Sequence, residues 1–359
     1  MRYRVQGEVE KTPHPELFAA ANSGNGFYSF YPQVFEREGI EKRYLIMGGP
    51  GTGKSSFLWE VARCAEEQGA EIEYYRCSSD PDSLDGIILN GRIALMDATA
   101  PHTVEPTQPG VRDEIVNLGE FWDSRGLEAK KNDIAAYSSL KSGCYGKAYR
   151  FLSAAMSVEE ENRRSVEPCI LWEKMERAVG RLMRDVPEEE CFRSIPALTD
   201  SIGMKGEVYL TGFRNIAETV YAVEDSFGCG SAFLSLVIRE AERKRLSIRV
   251  SYSPLCPTLP NGVFLERSGV CFLMAPSDRE GQARINIKRF LDPEGVRQIR
   301  GEYKRNQRLS EGLIQAATDA LADAGRYHFL LERIYVSCMD FEAEQRYLRS
   351  FCQTVLERL

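Results

Sequence analysis

Residues Arg43–Leu58 read RYLIMGGPGTGKSSFL. An apolar run, Tyr44–Met47, enters a glycine-rich loop that leaves through Lys54 and Ser55 into residues suited to a helix. Gly48, Gly53, Lys54 and Ser55 satisfy the spacing G-x-x-x-x-G-K-[ST]. The physics of that pattern is specific to phosphate. Glycines let successive backbone N–H groups turn inward around an anion, and the helix N-terminus adds the positive end of its dipole. The Lys54 ammonium is placed to reach β- and γ-phosphates, and the Ser55 hydroxyl to ligate Mg²⁺. The expected binding segment is Gly48, Gly49, Pro50, Gly51, Thr52, Gly53, Lys54, Ser55 and Ser56.

Outward from this loop the pattern predicts a helix from about Ser55 to Gln68, closed by Gly69, then short apolar strands at Ile72–Cys77 and Ile93–Asp97. Short buried strands alternating with helices imply an α/β fold with a doubly wound parallel sheet. Upstream, residues 1–40 read as a lead-in whose aromatics (Phe27, Tyr28, Phe30, Tyr31, Phe35) pack on the core; an adenine-stacking platform is the alternative. Downstream, the spacing predicts helical segments over Arg112–Asp123, Asp133–Met156 and Cys169–Arg184, with Pro187 closing the last.

The second half repeats the first. At a constant offset of 176, Ser55, Phe57, Leu58, Val61, Arg63, Ala65, Glu66, Ile72, Pro81, Gly86 and Leu89 recur as Ser231, Phe233, Leu234, Val237, Arg239, Ala241, Glu242, Ile248, Pro257, Gly262 and Leu265. These are 11 identities in 35 ungapped positions, where composition alone gives about two. FWD at 121–123 returns as FLD at 290–292 at a shorter offset, implying a deletion. The expected architecture is tandem P-loop-type parallel-sheet domains, 1–190 and 191–359, with added helical segments. The copies differ chemically. The second loop reads EDSFGCGSAF at 224–233, so Glu224 replaces Gly48, Phe227 replaces Gly51 and Gly230 replaces Lys54. Without the ammonium, and with a carboxylate at the loop's start, it is expected not to bind ATP in the usual manner.

A phosphate loop needs a second acidic group for hydrated Mg²⁺, normally at a parallel strand's C-terminal end. Asp97, after the apolar run Ile93–Met96, meets that need, while the matching strand Val270–Leu273 ends without one. No glutamate follows Asp97, so the base must come from elsewhere or turnover must be slow. Candidates are Asp80, Asp82 and Asp85 in CSSDPDSLDG (77–86), whose counterpart SPLCPTLPNG (253–262) has lost all of them, and Thr99, His102, Asp113 or Glu114. His102 has the pKa range for proton transfer, and turn chemistry is the competing account of the aspartates. Arg76, Arg92 and Arg112 are the nearest candidates for an arginine finger.

The 359 residues carry 46 Lys and Arg against 53 Asp and Glu, a net charge of −7 that argues against a nucleic-acid partner. The basic stretch Lys288, Arg289, Arg297, Arg300, Lys304, Arg305 and Arg308 reads as a solvated helix face. No run of apolar residues is long enough to cross a membrane, and ten scattered cysteines without a C-x-x-C pair read as reduced thiols. A cytoplasmic location is expected.

The segments GGPGTGKSS, CSSDPDSLDG, DATAPH and DEIVNLGEFWD, with the C-terminal LLERIYVSCMDF (330–341), resemble those of a group of bacterial, duplicated P-loop ATP-binding proteins whose biological role is unassigned. In that family DATAPH appears as a D-G-T-A-P-H type motif, and the second copy often keeps an intact loop, from which Glu224, Phe227 and Gly230 depart. The resemblance implies ATP bound by Gly48–Ser55, with Asp97 as the second acidic position. The leading expectation is a Mg·ATP-binding protein, a slow or partner-stimulated ATPase whose output is a conformational coupling to the helical part or to the second domain, with a protein partner as a candidate stimulator. Its rivals are a kinase for an unknown small-molecule acceptor, with a lid around Arg112–Lys131, and a nucleotide-gated binding module without turnover.

Overall fold

The computed structural model describes residues 14–274 and 283–359; residues 1–13 of the lead-in lie outside them. The first half runs β1 (Glu16–Phe18), β2 (Ala20–Ser23), β3 (Gly26–Ser29), α1 (Tyr31–Phe35), β4 (Lys42–Met47), α2 (Lys54–Glu66), β5 (Ile72–Arg76), β6 (Leu84–Leu89), β7 (Ile93–Asp97) and β8 (Asp113–Asn117). A short α3 (Ser124–Ala129), the long α4 (Lys131–Val166) and α5 (Trp172–Leu182) follow. The second half repeats the series as β9 (Arg193–Ala197), β10 (Asp200–Gly203), β11 (Gly206–Tyr209), α6 (Gly212–Ile216), β12 (Thr219–Glu224), α7 (Gly230–Arg243), β13 (Ser247–Tyr252), β14 (Pro260–Leu265), β15 (Val270–Met274), β16 (Ala283–Asn286), α8 (Pro293–Val336) and α9 (Phe341–Leu356).

Each half forms a six-stranded sheet, ordered β1-β5-β6-β7-β4-β8 in the first and β9-β13-β14-β15-β12-β16 in the second. The fold is therefore α/β, with two similarly arranged sheets flanked by helices. Neither sheet is all parallel as expected: β6 runs antiparallel to both β5 and β7, as β14 does to β13 and β15. The cause is local. β6 turns back into β7 through Asn90 (φ 48) and Gly91 (φ 66), the left-handed pair that a tight hairpin demands. The segment Arg112–Asp123, expected as helix, is instead β8 followed by a single 3₁₀ turn at Leu118–Phe121. Its start is fixed by Asp113, whose carboxylate takes the Arg43 guanidinium at 2.6 Å and the amides of Thr107 and Gln108.

The edge strands of the sheets meet where Phe18 and Leu198 exchange backbone hydrogen bonds of 2.8 and 3.1 Å. From residue 121 onward the copies align at an offset of 169, and their cross-connections are reciprocal. Asp123 N donates to Cys338 O (2.7 Å) and its counterpart Asp292 N to Cys169 O (2.8 Å). Terminal helices are thereby exchanged. Met175, Ala178 and Val179 of α5 join the core under α7, while Leu348, Phe351 and Val355 of α9 join the core under α2. α4 and α8 pack along each other and carry the chain between the halves. The residues Lys288, Arg289, Arg297, Arg300, Lys304, Arg305 and Arg308 are all solvent-exposed. Among the described residues no helix is long and apolar enough to cross a membrane, and all ten cysteines are free thiols.

Candidate functional site

β4 and β7 are adjacent and parallel, with Ile46 opposite Asp97, so the glycine loop and the Asp97 carboxylate leave the same sheet edge side by side. Gly51 (φ +70) and Gly53 (φ +84) take left-handed backbone that turns the chain sharply before α2 starts at Lys54. The first-turn amides of α2 have no partners within the helix and open onto this loop. Thr52 Oγ1 donates to Gly49 O (2.9 Å). Lys54 folds over the loop, donating to Gly48 O and Gly49 O at 2.9 Å each, and lies 3.6 Å from Asp97 Oδ2. Asp97 accepts from Thr99 N at 2.8 Å, and Thr99 Oγ1 donates to Gly48 O at 3.1 Å. Burial pushes the Asp97 carboxyl up, against the pull of Lys54. Ser55 Oγ accepts from Leu84 N (2.9 Å), and Ser56 is exposed on the outer face of α2.

Beside Asp97 sits a second ionisable pair. Asp85 Oδ2 and His102 Nε2 are 3.2 Å apart, both side chains less than 10% exposed. The Tyr31 ring stacks on the imidazole (4.6 Å, 15°), and Phe27 meets it edge-on at 5.0 Å. His102 Nδ1 and the Tyr31 hydroxyl are buried without a hydrogen-bond partner among the described residues. Burial drives the His102 pKa down, but Asp85 and then Asp97 outweigh it, and the net displacement is upward. The lead-in aromatics therefore pack around the site's imidazole and the sheet.

Sequence position alone misplaces several candidates. Asp85 lies in β6, not in a loop, and its side chain points inward. Asp80 and Asp82 turn away and share Lys205 of the second half. Asp113 and Glu114 pair with Arg43 and Lys42 at the opposite end of β4. Arg76 is tied to Glu16, Arg92 to Glu41 and Arg112 to the Glu36 carbonyl. The Arg112–Lys131 segment expected as a lid is strand β8, a 3₁₀ turn and helix α3, and its Lys130 donates to Ser337 Oγ at the end of α8.

What covers the loop comes from the second half. A Cβ on Gly49 would stand 2.7 Å from the Tyr335 ring, and one on Gly51 would stand 2.8 Å from Glu332 O, so α8 lies directly on the loop. Glu344 of α9, pushed up by burial, lies against Gly53. Met204 N donates to Ser79 O (3.0 Å) and Ser201 Oγ to Ser78 O (2.8 Å), holding the turn that leads into β6. A cavity of about 400 Å³ opens beside the loop, lined by Met47, Gly49, Ala98, Thr99, Asn117 and Trp122.

The equivalent loop of the second half holds an anion of its own. Asp225, at the position of Gly49, accepts from Gly230 N at 2.7 Å, and burial pushes its carboxyl up against the pull of the loop amides. Phe227 keeps the left-handed backbone of Gly51 (φ 60 against +70), Glu224 pairs with Arg284, and Leu273 stands opposite Ala222 where Asp97 stands opposite Ile46. Nothing in the pattern of the second loop marked Asp225, because a carboxylate beside glycines reads simply as loss of the site.

Among the described residues no three acidic, histidine or cysteine side chains cluster as a metal site. Ser55 and Asp97 are the two oxygen donors here that could hold a magnesium ion, Ser55 Oγ with its proton free because it accepts from Leu84 N. No family model, curated protein or solved structure matches the chain.

Proposed function

We propose that the chain binds Mg·ATP on Gly48–Ser56 of its first half and cleaves the terminal phosphoanhydride slowly, as a partner-stimulated ATPase. The observation that carries this reading is the convergence of Lys54, Asp97 and the Asp85–His102 pair at the C-terminal ends of β4 and β7, around one glycine loop. Lys54 exchanges its loop carbonyls for phosphate oxygens, and the loop amides with the N-terminus of α2 neutralise the rest of the charge. Ser55 and Asp97 would hold magnesium, which supplies charge neutralisation on the phosphates. Asp85 holds the imidazole through Nε2, and Nδ1 of His102 is left to take the proton of the attacking water. Since Ala98 follows Asp97, no carboxylate stands there to polarise water, which supports slow turnover. The cavity beside Gly49 and Trp122 has the size of a small-ligand site and suits the nucleoside. The resemblance to duplicated bacterial ATP-binding proteins supports the same reading.

Lys54→Ala is expected to abolish nucleotide binding in a calorimetric titration, while Gly230→Ala leaves it unchanged at one nucleotide per chain. Retained affinity in the first variant, or a stoichiometry of two, overturns the proposal. A second reading, transfer to a small-molecule hydroxyl, is favoured by the burial of His102 beneath Tyr31, which shields the base from bulk water. Phosphate release from ATP alone supports hydrolysis; turnover only with an added acceptor supports transfer.

A further inference from the structure

The helical arm brings a second ammonium to the glycine loop. Lys141 lies on α4, one turn before Tyr145, whose hydroxyl donates to Ser79 Oγ at 3.1 Å above the turn into β6. That contact holds the Lys141 face of α4 over the C-terminal edge of the first sheet. Lys141 is partly buried between two anchors of α4, Lys130 on Ser337 Oγ at the end of α8 and Tyr145 on Ser79, and the charges that act on it are Lys54 and the opposing Glu332 carboxylate. It has neither hydrogen bond nor ion pair among the described residues. Burial and then Lys54 lower its pKa, and Glu332 recovers only part of the loss. Two cations facing one loop repel, and a polyanion between them turns that repulsion into binding.

The duplication supplies an independent control. At the offset of 169 that relates α4 to α8, the counterpart of Lys141 is Ser310, buried with its hydroxyl unpartnered. The counterpart of Lys54 is Gly230. Both ammonium groups are therefore lost together, in the copy whose Gly230 amide is bound by the chain's own Asp225. One loop has a carboxylate of its own on the Gly230 amide and keeps no lysine; the other keeps both lysines, and its carboxylate, Asp97, pairs with Lys54 and Thr99 N.

We propose that Lys141 is a second phosphate-contacting cation of the first site, reaching from the helical arm to the terminal phosphate of the bound nucleotide. This rests on the ATP reading above. The test is calorimetry with magnesium and either ADP or a non-hydrolysable ATP analogue, on wild type, Lys141→Ala and Lys141→Arg. Loss of a charge-assisted contact should weaken analogue binding by about tenfold or more in Lys141→Ala. ADP affinity should stay within about twofold, and Lys141→Arg should recover most of the loss because it keeps the charge. If Lys141→Ala binds the analogue as wild type does, or loses both nucleotides equally, the contact with the terminal phosphate is overturned while the ATP reading stands. Wild type that binds neither nucleotide overturns both.

Discussion

At the scale of single residues, His102 and Asp85 are the informative pair. Asp85 raises the His102 pKa above its ordinary 6.5 even though burial opposes it. A base must be unprotonated to act, so turnover should fall as pH drops through a value above 6.5, and this acid limb should vanish in His102→Ala. Asp85→Asn removes the group that holds the proton and leaves burial in charge, so the limb should move to lower pH, read from rate against pH. An unmoved limb would separate Asp85 from the proton transfer. The sequence made Asp80, Asp82 and Asp85 look alike, since all stand in one turn-forming stretch. What divides them is the start of β6 at Leu84, which turns Asp85 inward, and Lys205, which draws Asp80 and Asp82 out from more than a hundred residues away. The loop itself and Lys54 were legible because their spacing is local, and Asp97 because it ends an apolar run; Asp225 was not, because a carboxylate among glycines reads as loss of the site, nor was Lys141, because only the packing of α4 on the first sheet gives it a meaning.

At the scale of elements, the glycine loop is gripped by a helix from the far end of the chain. Phe351 of α9 meets Tyr44 of β4 at 4.9 Å and Phe57 of α2 at 5.1 Å, the rings on either side of the loop. Phe351→Ala should cost about 3–5 kcal/mol in denaturant unfolding. Hydrogen exchange should then rise in β4 and α2 of the first half more than in α8, which carries α9; the reverse order would show that α9 belongs energetically with its own copy. Helix periodicity gave α2, α4 and α5 within a few residues, apart from the length of α4. β8 was misread because an edge strand with Ile115 exposed and Val116 buried offers only one apolar face, next to Leu118 and Phe121 at helical spacing. β6 was not read as a strand at all, since its first residues belong to the stretch 77–86 taken as a loop; its antiparallel return is marked by Asn90-Gly91, a hairpin signal.

At the scale of the whole molecule, the two halves meet about an approximate two-fold axis, and equivalent residues face each other across it. Glu73 and Arg249 are such a pair, related by the offset of 176, and they join in a bidentate ion pair of 2.8 and 2.9 Å, while Arg37 takes the same carboxylate. In two identical chains this position would set like charge against like; one duplicated chain can place opposite charges there and so favours pairing with itself. Burial alone would push the Glu73 carboxyl up, but Arg249 and Arg37 more than reverse it and hold it well below the usual range. A depressed carboxylate stabilises the fold above its unfolded pKa and loses that contribution as pH falls towards the folded value. Urea unfolding of wild type should therefore weaken progressively below about pH 4.3. Glu73→Gln leaves two buried guanidiniums under-compensated, so it should be less stable by about 3–5 kcal/mol at pH 7 and should lose less on acidification. Because the same strand β5 leads into the turn before Asp85, the variant should also weaken nucleotide binding without touching any group of the glycine loop. Unchanged stability at pH 7 would mean that this ion pair adds nothing to the join, which then rests on the exchanged helices, the Phe18–Leu198 bridge and the bonds of Ser201 and Met204.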